Sequence, residues 1–502
     1  MTHDFPLEYP EAVPPPVRAL RMLQGGLDSG LLQRLETFVH EWVKLLGGSG
    51  RLDWVDNTKG WSRWRTVSEG VFLKGFQQFP MLIITGAYEN AHLRELASLP
   101  ALMVVSRPDV ALELRRHPGA ECWVIVGLVE MEQILGAGDS TVARQGLLRL
   151  IRGDVPRWAL IPFQTSKAVD GSMFQGRLEE WKKLFYERET SFALVGPPRI
   201  GKTSLAYYYK LSLSLRSDIR SARLYVINFQ NLALRTDDAV AQEIARVIPC
   251  VRRTMVTAER LYDFLHRHAR EKGGPLELIL DECDEICHLW VFDQLCEWSR
   301  LPDSPCRLIA MGKTHLVHKV LGGGGNAPAK LEAIRPRPLT KTEVGRLFGD
   351  PLKQLGIALE DERHILEEVW TRTSGLPHLV QRMGKRVAER SCEELTDTVT
   401  MASLDAALAG MFGMAQFRGH LDELKENVQQ IAALAILQHH PMDCTTCWTA
   451  RRLQTTLQGL GCEQSINQCM ILLDDLTLHH FLIWDDGVYR PGRWDFRWTV
   501  SQ

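Results

Sequence analysis

The sequence predicts an α/β protein in which a smaller α/β domain precedes a main parallel sheet and two helical domains follow it. Three observations support this prediction. From residue 66 to residue 332, short apolar runs alternate with helical stretches, as parallel strands joined by helices do. One of these runs leads through a glycine-containing turn directly into a helix. Residues 419–502 contain three helical stretches and then a hairpin pattern.

Length and composition set the class of protein. The chain has 502 residues, too many for one hydrophobic core, and length alone predicts about three or four domains. Lys and Arg number 59 against 61 Asp and Glu, so bulk charge gives no argument for nucleic acid or an acidic membrane. There is no apolar run near the ~20 residues of a membrane helix and no signal-peptide pattern. The eleven cysteines are scattered, as reduced thiols are, and we expect a cytoplasmic protein.

Two units are predicted before residue 165. Residues 1–65 begin with a proline-rich irregular segment and continue into a helix over Leu31–Leu46. The tryptophans near residues 54–64 lie among basic residues, where packing of a small subdomain is favoured over base stacking. Residues 66–162 form an α/β domain, an effector or interaction module, with strands expected at Met81–Ile84, Ala101–Val105 and Cys122–Val126.

The strongest chemical signal is a strand, a turn and a helix in direct succession. Ser191–Val195 predicts a buried strand, the next eight residues fit the phosphate-binding pattern G-x-x-x-x-G-K-[ST], and a helix follows from Ser204. Such a turn aims backbone N–H groups and a helix N-terminus at an anion. We expect Lys202 to reach the β- and γ-phosphates and Thr203 to ligate Mg²⁺. The predicted nucleotide-binding residues are Gly196, Pro197, Pro198, Arg199, Ile200, Gly201, Lys202, Thr203 and Ser204.

A second apolar run ends in acidic residues that complement this loop. Leu278–Leu280 is followed by Asp281, a predicted Mg²⁺ ligand, and by Glu282, which is placed to polarise a water as the catalytic residue. Another predicted strand ends before Lys313, a residue positioned to sense the γ-phosphate. The two motifs in this order predict ATP and Mg²⁺ as ligands.

The rest of the chain predicts helical domains. Residues 165–332 form the nucleotide-binding domain and residues 333–418 a helical lid, in which Thr340 and Glu343 make a capping box. Residues 419–502 follow the winged-helix pattern. Four cysteines of this last domain are candidate zinc ligands: Cys444, Cys447, Cys462 and Cys469. Their spacing argues against a zinc site.

Residues 165–502 resemble the prokaryotic AAA-like ATPases of the STAND class, which are related to archaeal-type ATPases and origin-recognition initiators. The resemblance is carried by Gly171–Arg177, by Gly196–Ser204, by the acidic pair and by Gly375-Leu376-Pro377-His378. It implies a P-loop NTPase (AAA-like) core with a helical lid and a C-terminal winged helix. In that family the proline of the Gly-x-Pro element contacts nucleotide near the adenine and the β-phosphate, and the resemblance gives this role to Pro377. No position matches the family's trans arginine finger.

Two classes of function follow. In the first, the protein is a signalling ATPase in which ATP controls the N-terminal module or a protein partner, or promotes self-association. In the alternative, it is a DNA-directed ATPase, an initiator or transposition regulator, with the winged helix in the DNA groove. Residues 421–502 contain six basic and ten acidic residues, whereas a groove-binding domain must neutralise phosphates. The charge balance therefore favours the switch, without a role in the membrane.

Overall fold

The computed structural model covers most of the chain from residue 39 onward. It describes residues 39–40, 42–43, 48–56, 61–68, 73, 78–84, 93, 100–117, 120–135, 140–165, 173–215, 218–230, 236–249, 255–321, 331–408, 424, 427–439, 447–479, 481–485 and 488–492. Across these residues, none of the helices combines the length and the apolar character needed to cross a membrane.

The first sheet has five strands in sequential order, of which the first three are antiparallel and the last three parallel. Its strands are β1 Gly48–Asp56, β2 Trp61–Ser68, β3 Gln78–Ile84, β4 Ala101–Val105 and β5 Trp123–Val126. Its helices are α1 Pro108–Arg115, α2 Leu128–Leu135, α3 Ser140–Asp154 and α4 Arg157–Leu160, with a 3₁₀ turn at Ala120–Cys122.

The boundary predicted between residues 65 and 66 does not separate two units, because it falls inside β2. This strand pairs with β1 on one side and β3 on the other. Its side chains alternate: Ser62, Trp64 and Thr66 are buried, while Arg65 is exposed. A half-exposed antiparallel strand follows this period of two, whereas the sequence analysis relied on continuous apolar runs. Most of the helix predicted over Leu31–Leu46 lies outside the described residues.

The second sheet has five parallel strands in the order β10-β6-β9-β8-β7, so β9 lies between β6 and β8. Apolar clusters cover both faces, which explains the continuous apolar runs of its strands. The strands are β6 Phe192–Val195, β7 Leu224–Asn228, β8 Leu276–Asp281, β9 Cys306–Gly312 and β10 Glu332–Ile334. The helices are α5 Leu178–Tyr186, α6 Lys202–Leu215, α7 Asp237–Val247, α8 Leu261–Glu271, α9 Trp290–Trp298 and α10 Thr314–Leu321.

The region predicted as a lid is helical and begins with the predicted capping box of Thr340 and Glu343. Most of its buried apolar residues belong to one cluster together with those on one face of the first sheet. The helices are α11 Lys341–Val344, α12 Asp350–Gln354, α13 Glu362–Thr373, α14 Pro377–Glu393 and α15 Met401–Leu408. A π-helical turn, Gly345–Gly349, joins α11 to α12, and strands β11 Ala358–Leu359 and β12 Thr398–Val399 form a small parallel pair.

The C-terminal unit packs three helices and an antiparallel strand pair around its own apolar cluster. These elements are α16 Asn427–His439, α17 Ala450–Gly459, α18 Ile466–Leu478, β13 Leu482–Asp485 and β14 Val488–Pro491. Cys444 and residues 486–487, between the two strands of the predicted hairpin, lie outside the described residues. Within the described part of the chain, no group of three or more His, Cys, Asp or Glu side chains is arranged to hold a metal.

Candidate nucleotide-binding site

The loop between β6 and α6 has the backbone of an anion-binding nest. Arg199 has a φ of 61° and Gly201 a φ of 104°, both in the left-handed region, and α6 begins at Lys202. A Cβ on Gly201 would meet no atom within 4 Å, so the backbone conformation and not crowding calls for glycine there. Alternating left- and right-handed residues turn successive N–H groups toward one concave point.

Lys202 is buried inside this loop. Its ammonium group donates hydrogen bonds to the carbonyls of Gly196 at 2.7 Å and Pro197 at 2.9 Å. Burial, with the nearby charge of Lys313, lowers the pKa of Lys202 to about 8. An anion in the loop would stabilise the charged lysine, so the pocket is built for a negatively charged ligand.

Asp281 lies at the carboxyl end of β8, opposite the first turn of α6. The Thr203 hydroxyl and the Asn228 side-chain amide each donate to its Oδ2 from 3.4 Å. Burial, with the adjacent Glu282, raises the pKa of the Asp281 carboxyl. A buried carboxylate beside a hydroxyl provides the oxygen ligands that Mg²⁺ prefers, so Asp281 and Thr203 fit this ion.

Glu282 is held in an unusual conformation beside a lysine. Its φ of 57° and ψ of 46° place it in the left-handed region, which costs energy for a residue other than glycine. Its carboxylate pairs with the Lys313 ammonium group at 3.2 Å. Lys313 is fixed in turn by Asp284, whose carboxylate accepts from the Lys313 N–H at 2.5 Å and the His315 N–H at 2.8 Å at the start of α10.

These groups face a cleft of about 810 Å³ between the nucleotide-binding loop and the lid. The described residues that line it include Pro198 through Ser204, Asp281, Glu282, Lys313, Pro377, His378 and Gln381. Gly196 and Pro197 instead line a smaller cavity on the other side of the loop, against the C-terminal unit. Most of the predicted site residues therefore line the cleft, whereas Gly196 and Pro197 line the cavity on the opposite side of the loop.

The loop and the lid touch directly at two points. Ile200 packs with Leu376 and Leu379 in a small apolar cluster. The Arg199 guanidinium lies 3.0 Å from Nε2 of His378, the second residue of α14. Arg177, which lies directly before α5 and not in the lid, also contacts the loop. This buried residue donates to the Ile200 carbonyl at 2.9 Å, and burial lowers the pKa of its guanidinium group to about 10.

Some site residues were not found from the sequence. Asn228 follows the apolar run Leu224–Ile227 and ends β7, at the same sheet edge as Asp281, and a polar residue after such a run was a usable signal. His378 belongs to the Gly375–His378 element, although no role was predicted for it, whereas Gln381 of α14 reaches the cleft through tertiary packing and no local pattern marks it.

The sequence matches no protein-family model and no curated protein. Its fold is similar to several solved structures. The Walker-type ATPase PABY2304 of Pyrococcus abyssi is 14% identical, with a TM-score of 0.50 over 68% of this chain and 99% of that chain. The Aeropyrum pernix ORC2 protein, in ADPNP and ADP complexes, is 12% identical, with a TM-score of 0.43 over 65% and 92%. The Aeropyrum pernix ORC1 protein in complex with DNA is 17% identical, with a TM-score of 0.37 over 69% and 95%. The first of these likenesses shows that about two thirds of the chain shares the α/β fold of that structure.

Proposed function

We propose that this protein is a signalling ATPase of the STAND type, in which binding and hydrolysis of ATP control the N-terminal α/β domain or a protein partner. The observation that carries the proposal is the position of the cleft. The phosphate-binding loop forms one wall, and the start of α14 in the lid forms the other. A ligand that contacts both walls shifts any equilibrium between open and closed arrangements.

The chemistry assigned to the site uses this chain's own groups. Lys202 binds the β- and γ-phosphates, and Thr203 and Asp281 hold Mg²⁺, which screens the phosphate charge when bound. Glu282 orients the attacking water and accepts its proton. In the structure Glu282 is paired with Lys313, and the γ-phosphate would attract that lysine and release the carboxylate. Hydrolysis is therefore slow and tied to the arrival of ATP.

The lid is well placed to pass the nucleotide state to the N-terminal domain. Phe163 packs so closely on α14 that a Cβ on Gly384 would lie 2.3 Å from its ring. Arg157 donates to the Asp397 carboxylate at 2.5 Å and to the Thr396 carbonyl at 3.3 Å. These contacts and the shared apolar cluster support movement of the lid and the first sheet as one body.

The C-terminal unit, which we propose is a winged helix, is assigned a regulatory role. Arg335, in the connection to the lid, pairs with Asp474 at 3.1 Å and lies over the Trp484 ring at 5.3 Å. The Ser374 hydroxyl, next to the Gly375–Pro377 element, donates to the Gly492 carbonyl at 2.9 Å. The unit thus contacts both the connection and the lid beside the cleft.

Distance measurements in the full chain test the switch. Probes introduced as non-natural amino acids at three exposed positions report on three parts: Glu121 on the N-terminal domain, Glu259 on the P-loop domain and Glu360 on the lid. Adding ATP and Mg²⁺ should change the 259–360 distance and leave the 121–360 distance constant. If ATP binds and neither distance changes, the switch is wrong; if ATP does not bind, the nucleotide site itself is wrong.

A further inference from the structure

A cluster of four polar side chains is buried inside the P-loop domain, between α6 and the second sheet. Its members are Tyr209 of α6, Glu277 of β8, Arg307 of β9 and Arg220 of the 3₁₀ turn before β7, each at most 5% exposed. The Tyr209 hydroxyl donates to Oε2 of Glu277 at 2.5 Å and accepts from Arg307 at 3.0 Å. Arg307 and Arg220 pair with Oε1 of Glu277 at 3.4 and 3.7 Å. Burial, with the nearby charge of Glu277, raises the pKa of Tyr209, so its hydroxyl stays protonated and remains a donor.

Stability alone explains this cluster poorly. Removing charges from water costs about as much as their mutual attraction returns, and apolar residues of similar volume often replace a buried ion pair without loss. The surroundings of the Tyr209 ring are apolar, since it packs in one cluster with Leu205, Leu213 and Ile279. Apolar packing is non-directional, whereas hydrogen bonds require a narrow range of distance and angle. The polar cluster therefore adds a fixed relative position of the elements that it joins.

The bond between Tyr209 and Glu277 connects the same two elements that carry the predicted Mg²⁺ ligands. Thr203 lies on α6 with Tyr209, and Asp281 lies on β8 with Glu277. Among the described residues, α6 and β8 are joined by this side-chain hydrogen bond and by the longer one, at 3.4 Å, from Thr203 to Asp281. Tyr209 lies about 9 Å along the helix axis from Thr203. Because a packed helix shifts as a unit, a displacement at Tyr209 reaches Thr203.

We propose that Tyr209 and Glu277 are positioning residues that set the axial position of α6 against β8 and thereby hold Thr203 and Asp281 at the separation that Mg²⁺ requires. This inference rests on the proposed ATP–Mg²⁺ function. Mg²⁺ demands near-ideal octahedral geometry with oxygens about 2.0–2.1 Å away, whereas Ca²⁺ accepts longer and more variable distances. A small shift of α6 therefore weakens a magnesium site more than a calcium site.

The metal dependence of nucleotide binding tests this role in the full chain. A non-hydrolysable ATP analogue, adenylyl imidodiphosphate, is titrated by calorimetry with Mg²⁺, with Ca²⁺ and with EDTA. Tyr209→Phe removes the hydroxyl and keeps the ring in its apolar cluster. We expect it to bind the analogue about tenfold more weakly than the wild type with Mg²⁺, and within about twofold of the wild type with Ca²⁺ or EDTA. Equal losses in all three conditions would show that the cluster supports only the fold, and the positioning role would be wrong.

Two control variants separate positioning from stability. Tyr207→Phe removes a hydroxyl from an exposed tyrosine on the same helix and should bind the analogue as the wild type does. Val240→Ala removes buried apolar packing on α7, so it should lower the midpoint of urea unfolding and leave the metal preference unchanged. A loss confined to Mg²⁺ in Val240→Ala would mean that metal preference follows stability, which contradicts the inference.

The wild type distinguishes failure of this inference from failure of the proposed function. If the wild type does not bind the analogue in any of the three conditions, the proposed function fails. If the wild type and Tyr209→Phe bind it equally well with Mg²⁺, the proposed function stands and the positioning role is wrong.

Discussion

Both five-stranded sheets contain parallel strands whose carboxyl ends meet at one edge. The two edges differ in where their polar residues find hydrogen-bond and ion-pair partners. After β4 of the first sheet, Arg107 pairs with Asp109, two residues away. After β5, the Gly127 N–H donates to Glu130 at 3.1 Å, three residues away. At this edge each polar group has a partner within its own loop, and Glu130 also pairs with Arg115 at the end of α1 at 2.6 Å, so a cation already neutralises its carboxylate.

At the edge of the second sheet, partners come from different strands. Asn228 after β7 reaches Asp281 after β8, and Glu282 reaches Lys313 after β9. Lys202 lies in the neighbouring loop after β6. Asp281, Glu282 and Lys313 also line the cleft, so a ligand between the strand ends can contact all three. The comparison suggests that convergence from several strands, more than polarity at one strand end, distinguishes a binding edge.

The largest effect is expected when the buried cation is removed from the second edge. Lys202→Ala should lower ATP affinity at least 100-fold, because the phosphates lose a charged donor enclosed by the loop. Calorimetric titration with ATP and Mg²⁺ measures this. Lys210→Ala, an exposed lysine on the same helix, is the matched control and should bind normally. Equal ATP affinity in Lys202→Ala and wild type would remove the assignment.

The next effect separates chemistry from binding. Glu282→Gln should keep ATP affinity within a few-fold and slow single-turnover hydrolysis about 100-fold, the usual effect of losing a general base. Glu259→Gln, an exposed residue of the same domain, serves as the control. Unchanged hydrolysis in Glu282→Gln would move the role to another carboxylate.

The next effect is on stability, and it tests the contact between the N-terminal domain and the lid. Gly384→Ala places a methyl group 2.3 Å from the Phe163 ring, and overpacking of this kind costs about 1–3 kcal/mol. Gly459→Ala, where a Cβ would meet nothing within 4 Å, is the matched helical control. Urea unfolding should show a lower midpoint for Gly384→Ala only. Equal midpoints for Gly384→Ala and wild type would argue against a rigid joint between the sheet and the lid.

The same contrast explains which strands and site residues the sequence predicted and which it did not. The phosphate-binding loop and the acidic pair after β8 are short local patterns, so their residues and strands could be read directly. Strand β2 was missed as part of the sheet because a half-exposed strand alternates and forms no apolar run. Gln381 was missed because its partner, Gln164, is 217 residues away, and no local pattern encodes such a pairing.

The smallest effect is expected from a partly exposed ion pair that joins the C-terminal unit to the connection before the lid. Asp474 pairs with Arg335 at 3.1 Å and accepts a hydrogen bond from the Tyr489 hydroxyl at 2.7 Å. Asp474→Asn removes the charge and keeps the shape, which weakens docking by about 1 kcal/mol or a factor of about five. Because the docked unit lies beside the loop, nucleotide release from the full chain should change by a similar factor, measured with a fluorescent ADP analogue. Glu463→Gln, exposed on the same unit, should release nucleotide at the wild-type rate.

Duplex DNA should bind both variants and the wild type equally weakly, because acidic residues outnumber basic ones in this region. Salt-sensitive, sub-micromolar DNA binding by the full chain would instead favour a DNA-directed ATPase.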